Sequence, residues 1–218
     1  MNRRQCINVF YKEKFLGIPF GKLFESWEKR FETGALDEFR DHVGTSVRMR
    51  QKSLQVEWDC LTGDQFLDPG DIEGYRVHLG DQMNEAGDVQ RLADELCIVA
   101  LYRQVELHTK RVATKNFSTA DVDRLLNYSP SMTTRPFDIT ALPDFAAFNE
   151  LRLINNAIKH QGKVSGPLSE NFPKWVLDSE FRDIGAAYSR LMPLVKNYMY
   201  AFVSSAYESS DSSMRNLE

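Results

Sequence analysis

Apolar residues recur at helical spacing through three long stretches of the chain. From about Val89 to Lys115, the residues Ile98, Leu101, Tyr102, Val105, Thr109 and Val112 form one largely apolar stripe. That is the pattern of a helix burying one face. From about Pro143 to Lys163, Ala147, Leu151, Ile154 and Ile158 follow at steps of four, three and four. From about Ser179 to Ser204, Phe181, Ile184, Tyr188, Leu191, Val195, Tyr198 and Phe202 keep the same alternation. Pro193 falls inside this last stripe and predicts a kink, because proline has no N–H to give a helix interior. Asp178 or Ser179 is placed to cap its first turn.

Shorter elements fit around these. Phe20, Leu23, Phe24, Trp27 and Phe31 mark a short amphipathic helix, and Leu36–Val43 a second. Periodicity does not decide between helix and strand for residues 45–58. Gly63, Pro69 and Gly70 predict a loop over Thr62–Gly74, with a boundary near Pro69. Ser118 or Thr119 opens a short helix that stops before Pro130. Pro130, Pro136 and Pro143 make 128–144 a loop, and six serines among residues 204–213 predict a frayed tail. The expected architecture is all-α. An N-terminal helical extension over 1–70 precedes an up-and-down bundle over 71–205, and a flexible tail follows over 206–218.

Composition narrows the class. Of 218 residues, 42% are apolar, enough for a core, and Gly plus Pro contribute only 12 and 8, too few turn signals for a many-stranded sandwich. No apolar run approaches the ~20 residues of a membrane span. The basic residues near the start are followed by no continuous apolar stretch, so neither a span nor a secretory signal is expected. Cys6, Cys60 and Cys97 are scattered and form no C-x-x-C. This argues against a disulfide scaffold or a zinc site and fits a reducing cytoplasm.

Charge is uneven. The net value is −4, and residues 57–95 hold eleven acids and two bases. A nucleic-acid site must therefore be local, since phosphate affinity comes from clustered Lys and Arg. Phosphate-loop, dinucleotide, zincin and nucleophile-elbow motifs are all absent, and no cofactor or metal is expected.

The informative segment is Phe145–Ser165. On a helix, Arg152, Asn156 and His160 are successive i, i+4 neighbours, bordered by Asn155, Lys159 and Lys163. No acid occurs from Leu151 to Ser169. One helix thus offers an apolar face to a core and a basic, amide-rich face elsewhere. His160 is suited to proton exchange near neutral pH. Arg152 or Lys159 is suited to steadying charge on a phosphoryl group. The bland reading is a solvated basic face with His160 near a helix end. Two adjacent asparagines in a helix interior ask for buried hydrogen bonds or a ligand. Glu106 lies within one turn of Arg103 and Lys110 on the 89–115 helix. It makes either an intrahelical ion pair or a contact that orients His160 or Arg152.

The run LPDFAAFNELRLINNAIKHQGKVS resembles the signature helix of HEPN-like domains. ELCIVALYRQVELHTKRV is similar to that family's other long core helix, with Glu106 at a position that often carries a polar residue. The resemblance covers about residues 71–205 and implies a helical bundle, usually dimeric. Its relatives include toxins of toxin–antitoxin pairs, phage-defence factors and RNA-processing enzymes, in which an Arg and a His cut RNA without metal. His160 matches the motif histidine. Seven residues separate it from Arg152, one more than the family's motif spans, and Asn155 stands at the shortest motif position.

Two readings follow. In the first, a metal-independent ribonuclease uses His160 as acid/base and Arg152 or Lys159 as the stabilising cation. Asn155, Asn156, Lys163, Glu106 and Arg103 then contact substrate. In the second, a non-catalytic module with a degenerate motif binds RNA, a nucleotide or an antitoxin-like protein partner, or serves as a homodimerisation unit.

Overall fold

A computed structural model describes residues 20–127 and 135–215. Within them the chain folds into seven α-helices packed as a helical bundle: α1 Phe20–Glu28, α2 Gly34–Asp59, α3 Asp71–Asn116, α4 Thr119–Leu126, α5 Phe145–His160, α6 Gly166–Asn171 and α7 Ile184–Arg215. The extended pairing among the described residues is a single antiparallel bridge, Lys163 with Glu180. No helix of the described residues is long and apolar enough to cross a membrane.

Several elements are longer than their stripes predict. Residues 45–58, undecided by periodicity, join the expected 36–43 segment in the one helix α2. Its buried residues are only Gly44, Val47 and Leu54, so the apolar face is too thin to set a period. Helix α3 begins at Asp71 rather than near Val89. Its first turns bury Leu79, then Ala86, then Ala93, one residue per seven, and a stripe that sparse is not legible. Asp71 and Glu73 in its first turn complement the positive end of the helix dipole. Helix α4 starts where expected, the Ser118 hydroxyl accepting from the Asp121 N–H at 3.3 Å.

Two expectations for the last helix are corrected. It begins at Ile184, not near Ser179, and the Asp183 carbonyl accepts from Ala187 N–H at 3.0 Å. Asp178 and Ser179 do not cap it, because their backbones pair with Val164: Val164 N–H donates to Ser179 O at 3.0 Å and Asp178 N–H to Val164 O at 3.1 Å. The helix also continues to Arg215 where fraying was expected from residue 204. Ala206 and Ser210 are buried, and the Ser210 hydroxyl donates to Asn116 Oδ1 at 3.2 Å. Pro193 lies inside the helix, which runs on without a break. Helix α6 has no counterpart among the predicted elements. The Pro130 end of the expected 128–144 loop and the last three residues of the tail lie outside the described residues.

The chain divides into two compact units. The first comprises residues 33–102 and 151–190. Its core gathers Leu54 from α2, Leu79, Ile98 and Leu101 from α3, Leu151 and Ile154 from α5, and Tyr188 from α7, all at most 1% exposed. Each large aliphatic side chain buried this fully contributes about 1.5–3 kcal/mol. The second unit comprises the described parts of 1–32, 103–150 and 191–218. There Phe148 stacks on Tyr198 with ring centroids 4.5 Å apart, and Phe137 meets Phe202 edge-on at 5.5 Å. Helix α1 is held by Glu28, whose buried carboxylate accepts from Arg111 Nε at 3.1 Å and from the Lys115 ammonium.

Candidate functional site

The amide-rich segment lies on α5, in the first unit from Leu151 onward. Asn155 is 1% exposed, and its Nδ2 donates to Asn156 Oδ1 at 3.3 Å. Its own Oδ1 is buried without a hydrogen-bond partner among the described residues, an arrangement that costs about 1–3 kcal/mol of desolvation. Asn156 and Arg152 are half-buried. The two asparagines therefore bond to each other at the edge of the core.

Lys159, His160 and Lys163 are all exposed. Lys159 and His160 occupy the last turn of α5, where cations favour the negative end of the helix dipole by about 0.3–1 kcal/mol. The helix closes with Gln161 N–H and Gly162 N–H both donating to Ala157 O at 3.0 Å. Gly162 has φ +65, the left-handed conformation that suits a residue without Cβ. Lys163 then enters the bridge with Glu180. The structure thus brings Lys159, His160 and Lys163 to one solvent-facing helix end. Arg152 lies eight residues before His160, about 12 Å along the axis. Arg103 is exposed and Glu106 half-buried on α3, and both belong to the second unit.

Sequence reasoning missed three features. The first is a cavity of about 300 Å³ in the first unit, lined by Lys174, Trp175, Arg182, Asp183, Ala186, Ala187 and Arg190. Three cations face one acid there, and Lys174 Nζ lies 5.9 Å from the centre of the largely buried Trp175 ring. Arg182 stands two residues beyond Glu180, the bridge partner of Lys163. The signal was present as three scattered bases, but nothing in their spacing announced a common cavity.

The second is a larger cavity of about 690 Å³ between α2, α3 and the start of α7. Its arginines Arg40, Arg48 and Arg91 are matched by Asp41, Asp94 and Asp183, so its lining has no anion preference by count. Arg40 Nε donates to Asp94 Oδ1 at 2.7 Å, Nη1 to Ser189 Oγ at 2.9 Å and Nη2 to Gly185 O at 3.0 Å. Beside this pair, Tyr188 donates to Asp37 Oδ1 at 2.9 Å. Burial, then the bond to Asp37, pushes the Tyr188 phenol above its ordinary value. Burial, then the Asp94 charge, pushes the Cys97 thiol up to about 11.

The third is the cluster around Glu28 in the second unit. Burial pushes the Glu28 carboxyl up, but the Lys115 hydrogen bond and the charges of Arg111, Lys115 and His108 outweigh it and hold the group below its ordinary value. His108 is lowered, by burial first and then by Arg111. Arg111 Nη2 lies 3.1 Å from His108 Nδ1, so that nitrogen is the acceptor, and Nε2 donates to Glu28 O at 2.7 Å. His108 is therefore a neutral imidazole that holds helices together.

Comparison with protein-family models, curated proteins and solved structures found no match to this chain.

Proposed function

We propose that the protein is a HEPN-like helical module that binds RNA through its basic cavity, with the exposed end of α5 along the same path. The observation that carries this reading is the lining of the smaller cavity, which gathers Lys174, Arg182 and Arg190 with one carboxylate, Asp183. Cations converging on one concavity attract phosphate far better than the same charges spread on a helix. The charge-balanced larger cavity offers no such preference. The family resemblance selects RNA among phosphate-bearing ligands. Asn155 and Asn156 bond to each other at the edge of the core, and this bond leaves Asn155 Oδ1 unused.

The test is fluorescence anisotropy of a labelled single-stranded RNA titrated with the full chain across a range of salt. Binding is expected to weaken steeply with salt, and Arg182→Gln with Arg190→Gln to lower the log–log salt slope by about one per removed contact. Absence of binding at low salt, or an unchanged slope in the double variant, sinks the proposal.

A second reading is cleavage, favoured by the exposure of both Lys159 and His160, which leaves the imidazole open to a scissile phosphate. RNA is then cut in excess chelator to a cyclic phosphate by attack of its own 2′-hydroxyl, and His160→Ala loses the activity while keeping RNA affinity. Intact RNA after prolonged incubation removes this second reading and leaves the first.

A further inference from the structure

All seven residues lining the smaller cavity lie between positions 174 and 190, within the first unit. Asp183, Ala186, Ala187 and Arg190 follow at steps of three, one and three, the spacing of one helix face, here the first two turns of α7. Arg182 precedes that helix, and Lys174 and Trp175 come from the turn after α6. Lys174, Arg182 and Arg190 against the one carboxylate of Asp183 leave a surplus of two positive charges. Trp175 packs edge-on against Phe181 with ring centroids 5.7 Å apart. With Ala186 and Ala187 it adds an apolar wall to the charged one. At about 300 Å³ the cavity stands at the small end of ligand pockets, with room for one nucleotide.

An internal phosphate of an RNA strand is a diester with a single negative charge. A terminal phosphate is a monoester that carries about −1.5 to −2 at pH 7 and offers three acceptor oxygens. That dianion matches the charge surplus of the cavity, and the guanidinium forks of Arg182 and Arg190 suit its oxygens. The apolar wall suits the ribose and base of the same nucleotide. We propose that the cavity takes the phosphorylated end of an RNA strand, with the terminal phosphate held by Arg182, Arg190 and Lys174. This rests on the RNA reading of the same cavity. The rest of the strand leaves past Lys159, His160 and Lys163, which are exposed at the end of α5 and do not line the cavity. Lys163 pairs with Glu180, and the step from Glu180 to Arg182 spans at most about 7 Å, so the helix end adjoins the cavity and meets internal diesters.

Three single-stranded RNAs of one sequence, each labelled at an internal base, test this with the full chain at one low salt concentration. One carries a 5′-phosphate, one a 3′-phosphate, and one has hydroxyls at both ends. By fluorescence anisotropy, at least one phosphorylated strand is expected to bind about tenfold more tightly than the hydroxyl-ended strand, equivalent to about 1.4 kcal/mol. The strand that gains names the end. Arg182→Gln, at an exposed position, is expected to reduce that ratio to about twofold or less. Lys159→Gln is expected to weaken all three strands and leave the ratio as it was. Equal binding of the three strands overturns the proposal and leaves the RNA reading standing, whereas no binding of any strand removes both. A ratio that survives Arg182→Gln, or falls as far in Lys159→Gln, overturns the cavity as the source of the preference.

Discussion

Gly185 on α7 stands so close to Asp94 on α3 that a β-carbon at position 185 would lie 2.5 Å from the Asp94 carboxylate oxygen. The same β-carbon would lie 2.6 Å from Arg40 Nη2, the group that donates to the Gly185 carbonyl. The Arg40–Asp94 pair is thus built against bare backbone. Gly185→Ala is expected to displace it and to cost about 1–3 kcal/mol, as overpacking of a tight site does. The melting temperature should fall by several degrees. A variant that melts with the unaltered protein would mean that the pair moves aside freely.

Gly162 makes a different demand, for conformation and not for space. Nothing lies within 4 Å of its missing β-carbon, but its φ is +65. Gly162→Ala is expected to destabilise by about 1–2 kcal/mol, and Gly162→Asn by less, since asparagine tolerates the left-handed region. Urea unfolding midpoints report the order. Equal midpoints for all three would show that the α5 end adopts another backbone path at no cost.

The Glu28–His108 cluster predicts a pH profile. Both groups are held below their ordinary values, 4.5 and 6.5, so the folded state binds fewer protons than the unfolded chain as pH falls. The contribution of His108 is complete above about 6.5 and is lost as pH falls through its lowered value. That of Glu28 is complete above about 4.5 and is lost at still lower pH. Stability measured by denaturant unfolding should therefore decline from just below neutrality, then again in the acid range. His108→Gln should flatten the first decline and leave the second. A first decline of equal size in that variant would assign it to another group.

Of the two described cysteines, Cys60 is exposed and Cys97 buried with its thiol pushed up to about 11. Since the thiolate is the reactive form, iodoacetamide at mildly alkaline pH should modify Cys60 and spare Cys97 until the protein is unfolded. Mass-spectrometric mapping of the labelled sites reads this directly. Rapid labelling of native Cys97 would indicate frequent opening of the first unit.

The readable parts of the fold were those with dense stripes. Ile98, Leu101 and Val105 announced the second half of α3, and Leu151 and Ile154 announced α5. The first half of α3 was hidden because Leu79, Ala86 and Ala93 mark it only once per seven residues. Within the candidate site, the basic run ending at Lys163 was legible, while the cavity cations Lys174 and Arg182 were not. Their acid neighbours, Glu180 and Asp183, mask them in a local charge count.

Helicity and the course of the main apolar faces could be read from residue order, because helix hydrogen bonds and their side-chain periodicity are local. So could the acid-free basic turn that ends α5. Tertiary packing settled which carboxylates are buried against a cation, as Glu28 is against Arg111 and Lys115, and Asp94 against Arg40. It alone set which bases converge on a cavity. Those outcomes depend on contacts between residues tens of positions apart, and one chain's periodicity carries no record of them.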